Sequence, residues 1–147
     1  MTTFYSLDRA NERLAEVRPI LEDLRARRGE LLVLRDRLRT ASGAEVPGRR
    51  GSLVEDALGE ADAAAPESPR VLTARIQAVI DQMQAAVERL IEWDVTLRDI
   101  EDGLVDFPAL VNGRQVWLCW RLGEGEVAWW HELSTGFGGR RPLAELE

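Results

Sequence analysis

The most restrictive feature of this chain is a change of apolar period near Asp94. Before it, apolar residues recur at alternating steps of three and four; after it, they recur at every second residue. The first pattern runs along one side of an α-helix, and the second places side chains on one face of a β-strand. Helices therefore come first and a sheet second. The expected fold class is α+β: a long antiparallel helical hairpin, coiled-coil-like, packed on a small antiparallel sheet of three or four strands.

Residues 6–39 read as the first helix, with Ser6 as N-cap and Asp8 favouring the positive end of the helix dipole. Its stripe is Leu7, Ala10, Leu14, Val17, Leu21 and Leu24, continuing in register through Arg28, Leu31, Arg35 and Leu38. A mean step of 3.5 is that of a coiled-coil seam. Pro19 removes the bond to the Ala15 carbonyl and should kink the helix. Residues 40–68 are rich in Gly, Ala, Pro and acid, apart from a possible single turn at LVEDAL, and read as a flexible linker. Ser68 as cap and Pro69 at the first helical position open a second helix, 69–93. Its seam is Leu72, Ile76, Val79, Met83, Ala86, Leu90 and Trp93, widened on one side by Ile80, Val87 and Ile91. That extra width is the reason to expect a homodimer through the hairpin.

Residues 94–134 read as an antiparallel β-meander, followed by an irregular tail, 135–147. Asn112-Gly113 between LVDFPALV and RQVWLCWRL suits a two-residue type I′ turn. That turn pairs Val111 with Arg114, Phe107 with Leu118, Asp106 with Cys119 and Val105 with Trp120. If the next turn centres on Gly125, Arg121 faces Trp129, Trp120 faces Trp130 and Cys119 faces His131. One face then collects Val105, Phe107, Ala109, Val111, Val116, Leu118, Trp120, Leu122, Ala128 and Trp130, all apolar, and must be covered by the helices. The opposite face is mixed. It carries Asp106, Cys119 and His131 as one row, with Trp117, Arg121, Trp129 and Val127. Pro108 is the expected place for a bulge.

Composition narrows the function. A net charge of −7 argues against attachment to nucleic acid or to an anionic membrane surface. The apolar runs are too short to span a bilayer, and the N-terminus lacks the pattern of a secretion signal. One cysteine, Cys119, permits no internal disulfide and fits a reducing, cytoplasmic setting. All 19 basic residues are arginine, so lysine Schiff-base chemistry is excluded.

The row offers three chemistries. Asp, Cys and His are all zinc ligands, and three protein ligands leave a fourth position for water; Glu124 or Glu132 could add a donor. A Cys119–His131 nucleophile is disfavoured, because in the order Asp–Cys–His the carboxylate neighbours the sulfur and raises its pKa instead of orienting the imidazole. The plain alternative is a pair of half-buried sheet residues under the tail or a partner. Around the row, Trp117 and Trp129 could wall a ligand site. Arg121, stacked on Trp129, would anchor an anion there, and the tail GFGGRR could wrap a phosphate through its backbone amides and Arg140 or Arg141. The acidic turn Asp99, Glu101 and Asp102 and the arginines 25, 27, 28, 35, 37 and 39 read as solvated surface.

The strings FYSLDRANERLAEVRPILEDLR and IEDGLVDFPALVNGRQVWLCWRLGEGEVAWWHELSTGFGGRRPL together resemble the bacterial and archaeal family called domain of unknown function 2203. Arg9 stands where an acidic capping residue would complete that family's helix start. The resemblance implies a small prokaryotic cytoplasmic protein and no particular activity. It directs attention to Asp106, Cys119, Trp120, Glu124, His131 and Arg140. The function expected is a non-enzymatic binding or assembly module, with a self-associating hairpin and a ligand- or partner-binding Trp-rich sheet face. The alternative is a small metal-dependent enzyme using Asp106, Cys119 and His131. No cofactor is expected beyond a divalent metal, zinc first, at that row.

Overall fold

The computed structural model describes residues 2–43 and 68–146. Ser6 accepts the backbone N–H of Arg9 on its hydroxyl, 3.1 Å away, and opens α1, Leu7–Gly43. This helix is unbroken through Pro19. Both Pro19 and Ala15 are exposed, so water can serve the carbonyl that the proline leaves free. The helix continues to Gly43, past the end of its apolar stripe at Leu38; the rest of the expected linker, 44–67, lies outside the described residues. Ser68 caps α2, Pro69–Glu92, through the N–H of Val71 at 3.2 Å. Among the described residues no helix is long and apolar enough to cross a membrane.

The end of α2 explains how the period changes. Asp94 takes a left-handed φ of 61°, the N–H of Val95 returns to the Leu90 carbonyl, and that of Asp94 to Ile91. These are the paired bonds of a Schellman ending, here with Asp in place of the usual Gly. The next residues enter β1, Thr96–Asp99, the first strand of a meander ordered β1-β2-β3-β4-β5. The others are β2, Leu104–Val111; β3, Arg114–Arg121; β4, Trp129–His131; and β5, Arg141–Pro142. The tail thus adds a short fifth strand to the three or four expected.

The chain divides into two compact units. One comprises residues 1–28 and 83–147, and holds the sheet, the first part of α1 and the last part of α2. Its core joins Ala10, Leu14, Val17, Leu21, Leu24 and Leu90 from the helices to Val105, Phe107, Val116, Leu118, Trp120 and Trp130 from the sheet. Each large apolar side chain removed from water contributes about 1.5–3 kcal/mol. The other unit comprises residues 29–82, where Leu34, Leu72 and Val79 are buried. Leu34 replaces Arg35 as the inward residue there, so the seam steps in by one position after Leu24.

The β2–β3 register follows the Asn112-Gly113 turn throughout, with φ of 54° and 79° at its two residues. Pro108 causes no bulge: it pairs regularly with Trp117. A two-residue turn makes Val111 and Arg114 a hydrogen-bonded pair. Alternation from there turns the missing N–H of Pro108 away from β3, toward an edge that β1 does not reach. On that edge the Pro108 carbonyl accepts the N–H of Tyr5, at 2.7 Å. The bulge sits instead between Leu97 and Asp99 in β1, at Arg98.

The second hairpin closes two residues away from the expected register. Trp117 faces His131, Leu118 faces Trp130 and Cys119 faces Trp129. The cause is a turn at Arg121–Glu124, with Gly123 at φ 104° and the N–H of Glu124 bonded to the Arg121 carbonyl. Trp120 then pins the following loop by donating its indole N–H to the Gly125 carbonyl, 2.7 Å away. A shift of two preserves the face of every strand residue, but Trp130 lies against Leu118 and not Trp120. Before β4 the alternation fails. Val127 is buried, with its N–H on the Asn11 side-chain oxygen, and Ala128 is exposed.

Candidate metal centre

Asp106, Cys119 and His131 meet on the sheet face turned away from the helices. Asp106 pairs with Cys119 across β2 and β3. Counting from the turn, this is a non-hydrogen-bonded pair, the kind in which Cα atoms approach to about 4.5 Å. His131 reaches the pair from β4 on the diagonal. One ligand atom from each of the three lies within 4.8 Å of the others. Relative exposures are 1% for Asp106, 0% for Cys119 and 2% for His131.

The register shift changes the chemistry expected of the row. The imidazole does not sit directly opposite the thiol; its Nε2 lies 3.0 Å from Oδ2 of Asp106. Asp106 therefore orients the imidazole as well as neighbouring the sulfur. Nδ1 lies 2.8 Å from the backbone carbonyl of Glu132. A carbonyl only accepts, so Nδ1 carries a proton and the ring presents Nε2 to the cluster. Oδ2 also accepts the Nε–H of Arg98 at 2.8 Å, whereas Oδ1 is buried without a hydrogen-bond partner.

Burial pushes the Cys119 thiol up to about 12; the Asp106 carboxylate adds in the same direction and the Arg140 guanidinium opposes it. Such a thiol is not a nucleophile near neutral pH. The imidazole that would have to activate it is already engaged with Asp106. The arrangement is unsuited to covalent catalysis.

It suits a metal. A ligating histidine commonly donates its second ring N–H to a carbonyl, as His131 does to Glu132. Zinc bonds of about 2.0–2.2 Å at tetrahedral angles separate nitrogen and oxygen ligands by about 3.3–3.5 Å. The 3.0 Å between Nε2 and Oδ2 needs only a small expansion. A dication would also deprotonate the thiol and offer the unpaired Oδ1 a partner.

Trp117 and Trp129 lie across the strands from His131 and Cys119. Trp117 and Trp129 are half-buried, each under an arginine: Arg98 lies 5.0 Å from the Trp117 ring and Arg140 4.8 Å from that of Trp129. Arg121 does not stack on Trp129; it lies 5.4 Å from Phe137, in the tail. Arg140 also grips Glu124 through both terminal nitrogens, at 2.9 and 3.0 Å. Two amides of GFGGR close its own turn, Gly139 onto Gly136 and Arg140 onto Phe137. Glu132 pairs with Arg114, so neither glutamate is held at the row. The acidic turn is accounted for locally: Asp99 accepts the N–H of Asp102, and Arg25 donates to the carbonyls of Glu101 and Asp102.

Arg98 is the site residue that sequence reasoning missed. Thr96 pairs with Asp106, so simple alternation would carry Arg98 along the same face, but the bulge at this residue conceals the register. Neither a curated protein nor a solved structure matches this chain. The family described as "Uncharacterized conserved protein (DUF2203)" matches residues 3–143, and the chain belongs to that family.

Proposed function

We propose that the protein is a non-enzymatic binding module that holds one divalent transition metal, zinc first, at Asp106, Cys119 and His131. One observation carries the reading: a buried carboxylate that leaves one oxygen without a hydrogen-bond partner has a thiol and an imidazole nitrogen gathered within 4.8 Å of it. Leaving such an oxygen unsatisfied costs about 1–3 kcal/mol, and a cation removes that cost. Trp117, Trp129, Arg121 and Arg140 form the wall of the site, and a reduced Cys119 fits a prokaryotic cytoplasm. The experiment is metal analysis of protein purified without chelators. One zinc per chain, falling below a tenth in Cys119→Ser and His131→Ala variants that remain folded, supports the reading. Wild-type protein that stays metal-free after incubation with zinc rejects it.

Self-association through a coiled-coil-like hairpin is the second part of the proposal. On α2, Ile91 is 63% exposed and Val87 is half-buried. Both line a groove of about 460 Å³ that also includes Leu97 and Trp117. A second copy covering this surface would remove Ile91 from water. Sedimentation should give twice the 16.5 kDa chain mass, and Ile91→Glu should return it to the single-chain value.

A further inference from the structure

We propose that Arg98 is a built-in competitor of the metal, a resident cation that makes the site able to load and unload. The inference rests on the metal reading above. Asp106 is almost wholly buried, yet its charge is not left alone: Arg98 donates Nε–H to Oδ2 at 2.8 Å. The Arg98 side chain is 42% exposed, in contrast to the three buried ligand residues beneath it. It stands on the bulge of an edge strand, where an extra residue is not held by the ladder. Trp117 supplies the surface over which its guanidinium lies. Among the described residues, the cation on Asp106 that has ready access to water is therefore Arg98.

Charge sets the response to loading. Without metal, the buried Asp106 carboxylate is held by the Arg98 guanidinium and shared with His131. A bound dication would take over that carboxylate and set its own charge against the guanidinium. Arg98 is then a surplus positive charge beside a metal, and water is the better place for it. The guanidinium thus stabilises the metal-free state more than the loaded one. A ligand's apparent affinity falls by the advantage that its competitor gives the empty state. A permanently structural zinc would gain nothing from such a residue; exchange would.

The test compares wild type, Arg98→Gln and Arg98→Lys, by zinc titration against a chromophoric chelator and by thermal unfolding with and without zinc. R98Q should bind zinc at least tenfold more tightly, unfold at lower temperature when metal-free, and match wild type when loaded. R98K, which keeps the charge, should stay within about threefold of wild-type affinity. An R98Q protein that folds only with zinc present also supports the proposal. Unchanged or weaker zinc binding by R98Q would show that Arg98 instead holds Asp106 in place for the metal, and would overturn it. So would an R98Q protein that zinc cannot restore to a folded state. If wild type itself binds no zinc, the metal reading fails first, a result distinct from wild-type binding that R98Q leaves unaltered.

Discussion

The two faces of the sheet are built on opposite terms. The face against the helices carries Val105, Phe107, Val116, Leu118, Trp120 and Trp130, and its two indole N–H groups find carbonyls at Gly125 and Pro142. The outer face buries a carboxylate, an imidazole and a thiol, and leaves one carboxylate oxygen without a partner. Apolar burial stabilises wherever it occurs, whereas buried ionisable groups at best offset their own desolvation. The first face therefore supplies the stability that the second consumes. A protein that needed only to fold would have filled the row with valine.

The largest expected effect breaks the inner face. Phe107 is fully buried and meets Tyr5 edge to face at a centroid distance of 5.1 Å. Phe107→Ala should destabilise by about 3–5 kcal/mol in chemical denaturation, through lost burial and the cavity left behind. The outer face should respond differently. Asp106→Ala alone should cost about 3 kcal/mol, because it removes one side of a buried pair. Asp106→Leu combined with His131→Phe should leave the metal-free protein at least as stable as wild type, since apolar groups replace both partners. A double variant as damaged as the single one would mean that the pair supports the fold, and the contrast between the faces would collapse.

A smaller effect sharpens the same contrast through pH. The Cys119 thiol is raised from an ordinary 9.0 to about 12, so the folded chain holds this proton more tightly than the unfolded chain. Its stabilising contribution is complete below about pH 9 and is lost as pH rises toward 12. The melting temperature of the metal-free protein should fall across that window, and Cys119→Ala should remove this part of the fall. Zinc, by taking the thiolate, should release the same proton near neutral pH, measurable as buffer-dependent heat on titration.

The difference between the faces also explains what was legible in the sequence. The inner face was readable because it is uniform: a strand slipped by one residue would have placed Asp106 and His131 in the core. Asn112-Gly113 admits one loop length, so β2 and β3 were aligned residue by residue. GEGE admits several, and the turn fell at Leu122-Gly123 instead of at Gly125. That two-residue difference kept the row on its face yet moved the imidazole onto Asp106. Arg98 was hidden because a bulge leaves no mark in an alternating string. Leu34 replaced Arg35 because a 3.5-residue repeat, extended over many turns, does not say where the register steps.

The most direct measurement of the central claim is X-ray absorption at the zinc edge of the purified, loaded protein. The account predicts one sulfur near 2.3 Å and two or three nitrogen or oxygen neighbours near 2.0–2.1 Å, with almost no zinc signal left in Cys119→Ser. A shell of nitrogen and oxygen alone in the wild type, unchanged by that substitution, would place any bound zinc elsewhere and contradict it.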